Sequence, residues 1–134
     1  MSTTPDARTV AQSYFDALEA GDFEAAISCL SEDIVLTEAE SLPYGGIHHG
    51  REKFKDALGQ AAKLGGSKMT LEHLLVDGER VAALVRLEAP SGSDSPPTYL
   101  VDWQLIRDGK IVELTPFYYD TASILAGKGT PPLR

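Results

Sequence analysis

Three polar side chains set in apolar company frame the chemistry open to this chain: Tyr14, Glu38 and Asp102. A carboxylate can take a proton from carbon beside a carbonyl only if donors hold the negative charge that arrives on the oxygen. A phenol and a second carboxyl, kept protonated, are suited to that task. Asp102 is the most telling of the three. It lies midway along the run Tyr99 to Ile106, among Val101, Trp103 and Leu105, where an acid is costly unless it is paired or used. The bland alternatives are plain: a core phenol ordinarily finds a hydrogen-bond partner, an acid at a strand end is ordinarily solvated, and Asp102 could serve only as a structural partner for Tyr14.

The elements that must position these groups follow from periodicity. Thr4, Pro5 and Asp6 read as cap, first-turn proline and favourable acid, and predict a helix that carries Val10, Tyr14, Ala17 and Leu18 on one stripe and stops at Gly21. Asp22 caps a second short helix with Phe23, Ala26, Ile27 and Leu30 inward, so the two form a corner. Ile34 to Ala39 reads as a strand that puts Leu36, Glu38 and Glu40 on one side. A loop with Pro43, Gly45, Gly46 and Gly50 follows. A third helix, marked by Phe54, Ala57, Leu58 and Ala61, stops at Gly65 and Gly66.

Beyond that point the period changes to two. Met69 to Val76 and Val81 to Ala89 form a hairpin around Asp77 and Gly78, and Tyr99 to Ile106 and Ile111 to Tyr119 a second around Asp108 and Gly109, with a polar loop at 91–97 between them. Helices first and an antiparallel sheet after make an α+β order. Along Tyr99 to Ile106, Leu100, Asp102, Gln104 and Ile106 share one face; Tyr99, Val101, Trp103 and Leu105 share the other. A sheet apolar on both faces needs cover on both, which predicts helices on one side and a second copy of the chain, a homodimer, on the other. Of Phe117, Tyr118 and Tyr119, the alternation turns Tyr118 inward beside Leu114 and Pro116 and leaves the rest to core packing.

Length and charge narrow the partners. A chain of 134 residues, 43% hydrophobic, fits one domain, 1–134, that buries roughly two-thirds of its unfolded surface. A net charge of −8 gives no basic footprint for nucleic acid and is repelled by an anionic membrane. The single cysteine, Cys29, forms no internal disulfide and packs as a small hydrophobe. No leader or spanning segment is legible, which makes the cytoplasm the expected location. His48 and His49 point opposite ways on an extended segment, so no metal is expected, though His48 is a candidate for the pocket mouth. Tyr44, Gly45 and Gly46 lack the lysine and hydroxyl of a P-loop, and no dinucleotide glycine pattern occurs, so no cofactor is expected.

The runs YFDALEAGDFEAAISCLSEDIVL, LPYGGIHHGREKF and DWQLIRDGKIVELTPFYYDT together resemble the NTF2-like superfamily, in particular its SnoaL-like and ketosteroid-isomerase-like members, across nearly the whole chain. The resemblance implies a cone: a curved sheet wrapped around three helices, with a deep apolar pocket at the open end and a dimer on the far sheet face. It implies that Tyr14, in YFDAL, is the oxyanion-hole tyrosine, that Glu38 is the proton-shuttling carboxylate, and that Asp102, before WQLIRDGKI, is the acid that completes the hole. A neutral carboxylic acid donating in an apolar site is the arrangement for which ketosteroid isomerase is the standard worked example. Leu100, Leu114 and Pro116 are the expected walls, with Phe54 and Tyr118 beside them.

Two departures matter. Glutamate stands at position 38 where the steroid isomerases have aspartate, one methylene further out, and the loop after it is longer. Glu40, on the same strand face, is the substitute base. The expected activity is cofactor-independent proton transfer on an apolar carbonyl compound through an enolate, either isomerisation or aldol-type cyclisation. The rivals are an epoxide hydrolase of the same fold, disfavoured because no arginine lies between paired acids on the sheet, and a binding or adaptor domain without chemistry.

Overall fold

The computed structural model describes residues 4–64, 68–88 and 96–126. Helix α1, Ala7–Glu19, is capped by Asp6, whose side chain accepts from the Thr9 backbone N–H. The cap therefore lies two residues later than Thr4, because the acid reaches the free N–H groups of the first turn. At its other end Gly21 takes φ +75°. The Gly21 and Asp22 N–H groups donate to the Leu18 and Ala17 carbonyls, the paired bonds of a Schellman stop. Asp22 then caps α2, Phe23–Ser28, so the corner stands as the sequence predicts. Phe23 is 54% exposed rather than inward, since it is the first residue of a six-residue helix whose packed side is Ala26 and Ile27.

Strand β1 runs Leu30–Glu38, four residues earlier than its alternation predicts, because Leu30 is drawn into pairing with Ile111. The loop after it holds an unanticipated strand, β2, Gly46–His49, antiparallel to β1. Helix α3 follows, Arg51–Leu64. Its expected stop at Gly65 and Gly66 lies outside the described residues, as does 91–95 of the expected polar loop. The first hairpin pairs β3, Met69–Asp77, with β4, Arg80–Leu87. Its turn is Gly78 and Glu79, one residue beyond the predicted pair, because Gly78 supplies the left-handed first position, φ +60°. The second pairs β5, Thr98–Arg107, with β6, Lys110–Tyr118. There both turn residues are left-handed, Asp108 at φ 51° and Gly109 at φ 75°, as a type I′ turn needs. A fourth helix, α4, Thr121–Ala126, closes the described chain. Six residues are too few for periodicity to reveal.

The six strands form one curved sheet in the order β2-β1-β6-β5-β4-β3, antiparallel except where β1 lies parallel to β6. It is the α+β cone anticipated from the resemblance. α1 packs on the β3 to β6 side of the concave face and α3 on β1 and β2. Between helices and sheet lies the core, with Ala11, Leu30, Ile34, Val81, Val85 and Ile111 fully enclosed. The inward set of β5 is as predicted: Leu100, Asp102, Gln104 and Ile106 are all buried. Phe117 and Tyr119 are not core residues. They are 60% and 84% exposed, because the β6 alternation that turns Tyr118 inward turns its neighbours out.

Candidate active site

The open end of the cone holds a cavity of about 400 Å³. Tyr14, Glu38 and Asp102, from a helix and two strands far apart in sequence, all line it, as do Phe54, Leu100, Leu114, Pro116 and Tyr118. The sheet register explains the convergence. Leu36 of β1 faces Leu114 of β6, so two residues on, Glu38 comes level with Pro116. Asp102 of β5 pairs with Pro116 from the other side. The two acids thus flank one proline, separated by two strand spacings, roughly 10 Å between backbones. Tyr14 hangs over them from α1, its ring held edge-on by Phe15 at 5.1 Å and Phe54 at 6.4 Å between centroids.

Burial sets the electrostatics. Asp102 lies between Ala83 and Pro116, is 7% exposed, and loses hydration with no hydrogen-bond partner among the described residues, and this burial lifts its pKa to about 7. The bland alternative, a structural bond to Tyr14, is not formed among the described residues. Glu38 is raised further, to about 8. Burial dominates, Asp102 adds repulsion, and a hydrogen bond from the Tyr118 hydroxyl to Glu38 Oε1 at 3.1 Å pulls the other way. The Tyr14 hydroxyl is held well above its ordinary pKa by burial, then by the two acids, and stays a donor throughout the physiological range. The site can therefore present one base and two donors within an apolar chamber.

Two expected members fall elsewhere. Glu40 is exposed: β1 ends at Glu38 and the chain turns over Ala39 to Leu42, so the strand alternation does not extend to it. His48, on β2, pairs with Leu36 of β1 and donates from Nε2 to the Tyr44 carbonyl at 2.7 Å, which ties down the loop rather than lining the cavity. Tyr44 is the residue that sequence reasoning missed. It lines the cavity, and its hydroxyl lies 3.1 Å from that of Tyr118. The available sequence signal was the spacing of Leu42 and Tyr44, two apolar side chains two apart around Pro43, and both are buried in the structure. Leu18, Phe23, Met69 and Ile124 also line the cavity, with Lys68 the one cation among the described lining residues. No cation adjoins Asp102 across the strands, so the arginine an epoxide-opening site would need there is not supplied by Ala83 or Pro116.

The profile of the SnoaL-like domain family matches residues 11–114. The chain belongs to this family. No curated protein matches it significantly. Among solved structures, a protein of unknown function with a cystatin-like fold from Xanthomonas campestris is 23% identical, with TM-score 0.82 over 94% of this chain and 100% of that one. TerC, co-crystallised with polyporic acid, is 17% identical, with TM-score 0.80 over 92% and 98%. A candidate ketosteroid isomerase from Kribbella flavida is 22% identical, with TM-score 0.69 over 96% and 83%. At these identities the likeness establishes the fold alone, an NTF2-like cone.

Proposed function

We propose that this SnoaL-like chain is a cofactor-independent proton-transfer enzyme, an isomerase or an aldol-type cyclase, acting on an apolar carbonyl compound through an enolate. One observation carries the reading: two carboxyls with raised pKa values and a buried phenol share one apolar cavity, a combination that structural ion pairing does not account for. In the forward step ionised Glu38 removes the proton beside the carbonyl. The C–H electron pair moves onto the oxygen, where the Tyr14 hydroxyl and the protonated Asp102 carboxyl donate to it. Each such donor contributes about 3 kcal/mol in a dry site. Glu38 then returns the proton to a different carbon, or the enolate attacks a second carbonyl in the same molecule. The small molecule bound to TerC lends support to a ligand-sized cavity in this fold. Trp103 and Phe117 on the outer sheet face support the further proposal of a homodimer.

Deuterium uptake from heavy water into 2-tetralone, an apolar bicyclic ketone, followed by NMR, tests the mechanism. Glu38→Gln should slow uptake by about 100-fold or more. Asp102→Asn, whose amide still donates, should stay within about tenfold of the parent. Equal losses from the two, or uptake indifferent to Glu38→Gln, would contradict these roles, and a protein that binds the ketone without any uptake would be a carrier.

A further inference from the structure

Glutamate at position 38 raises a mechanical problem. Its extra torsion relative to aspartate leaves the carboxylate freer, with more side-chain entropy to lose on being fixed, and a displacement near 1 Å costs about 100-fold when geometry limits a reaction. The side chains around it answer that problem. Tyr118, inward on β6, donates its only hydroxyl proton to Glu38 Oε1 at 3.1 Å. In the second contact, 3.1 Å between the Tyr118 and Tyr44 hydroxyls, the donor must then be Tyr44, since the Tyr118 proton is already committed. The chain Tyr44 to Tyr118 to Glu38 thus ends on one carboxylate oxygen.

Tyr44 is itself held from behind. Its carbonyl accepts from His48, and the next residue is a glycine whose missing Cβ would sit 2.4 Å from the Ala39 carbonyl oxygen. A tight loop therefore anchors the far end of the phenol chain.

We infer that Tyr118, braced by Tyr44, is the positioning device that fixes the longer Glu38 side chain by holding Oε1, so that Oε2 is the oxygen that exchanges the substrate proton. The inference rests on Glu38 being the base. During transfer the substrate C–H bond breaks, an Oε2–H bond forms, and the electron pair passes to the carbonyl oxygen. Neither phenol gives up its proton, and burial raises both above their ordinary pKa values. The titratable groups that face Glu38 are Tyr118 from β6, Tyr44 from the β1–β2 loop, Asp102 from β5 and Tyr14 from α1.

The test reads the Glu38 carboxyl directly by carbon-13 NMR titration of the full chain, with no ligand, alongside deuterium uptake into 2-tetralone. Tyr118→Phe keeps the ring and loses the donor. It should raise the Glu38 pKa by about one unit, the equivalent of one hydrogen bond. It should also lower kcat about 10- to 100-fold with KM within about threefold. Tyr44→Phe should move both in the same direction by less. In a Glu38→Asp background the shorter side chain falls out of reach of Tyr118, so adding Tyr118→Phe should change uptake less than about twofold. An unmoved Glu38 titration in Tyr118→Phe, or the same loss in the Glu38→Asp background as in the parent, would overturn the inference. A titration that moves as expected while Glu38→Gln retains uptake would instead leave the phenol brace standing and remove the proposed reaction.

Discussion

At the scale of single residues, the proposed mechanism divides the work of the two acids by protonation state. The proposed mechanism needs Glu38 ionised and Asp102 protonated, and burial pushes both carboxyls up into the neutral range, Glu38 to about 8 and Asp102 to about 7. The rate of proton exchange should rise with pH as Glu38 ionises, peak between about 7 and 8, and fall as Asp102 loses its proton. Asp102→Asn removes the group responsible for the alkaline limb, so its profile should climb to a plateau above pH 8 instead of falling. A pH–rate profile of kcat/KM for parent and variant, taken from deuterium uptake, checks both limbs. A descending limb that survives in Asp102→Asn would belong to another group and would remove Asp102 from the oxyanion site. Residue type and surroundings marked Asp102, since an acid amid Val, Trp and Leu carries its own warning, whereas Tyr14 and Glu38 joined it as candidates through the family resemblance. Neither route disclosed Tyr44, whose role exists only where its loop meets β6.

At the scale of elements, what was legible depended on pattern length. α1 and α3 run 13 and 14 residues, long enough for their periodicity to show, and the β5–β6 hairpin carries the turn pair its geometry requires. β2 is four residues with Ile47 exposed, and it is a strand only because β1 offers it an edge. Glu40 was misplaced for the same reason: where a strand stops is decided by the turn after it. That turn is itself a test. Gly45 donates to the Leu42 carbonyl, and a Cβ there would meet the Ala39 oxygen at 2.4 Å and the Glu40 Cα at 2.8 Å. Backbone atoms cannot swing aside as a side chain can. Gly45→Ala should cost about 1–3 kcal/mol in urea unfolding. It should also displace Tyr44 and so raise the Glu38 pKa in the direction expected of Tyr44→Phe. Gly21→Ala provides the contrast: nothing lies within 4 Å of its Cβ, and only the strain of φ +75° is added. Equal stability of Gly45→Ala and the parent would mean that the loop has another conformation available.

At the scale of the whole molecule, the sheet keeps its cavity-lining face and its exposed apolar face apart. The concave side holds the core and cavity. Across the convex side, Leu75, Ala82, Trp103 and Thr115 form one row over four strands, and His73, Leu84, Val101 and Phe117 the next. Trp103 is 40% and Leu75 68% exposed. Arg80 lies over the Trp103 ring at 5.4 Å and reaches Glu113 at 3.6 Å, which gives an apolar centre a charged margin. If this face closes on a second copy, as proposed, a stable contact needs about 800 Å² from each partner. The ionic strength dependence separates the possible causes. Two chains carrying −8 each repel, and salt screens that repulsion over about 10 Å at 0.1 M. An association driven by Trp103, Phe117 and Leu75 should therefore tighten as salt rises, whereas one held by charge pairs would loosen. Sedimentation equilibrium at about 0.05 and 0.5 M salt should show the first pattern for the parent. Trp103→Glu with Phe117→Glu should sediment at half the parent mass while deuterium uptake per chain persists, because neither side chain lines the cavity. A parent already at monomer mass under all salt conditions would leave the convex face without a second copy of this chain as its cover.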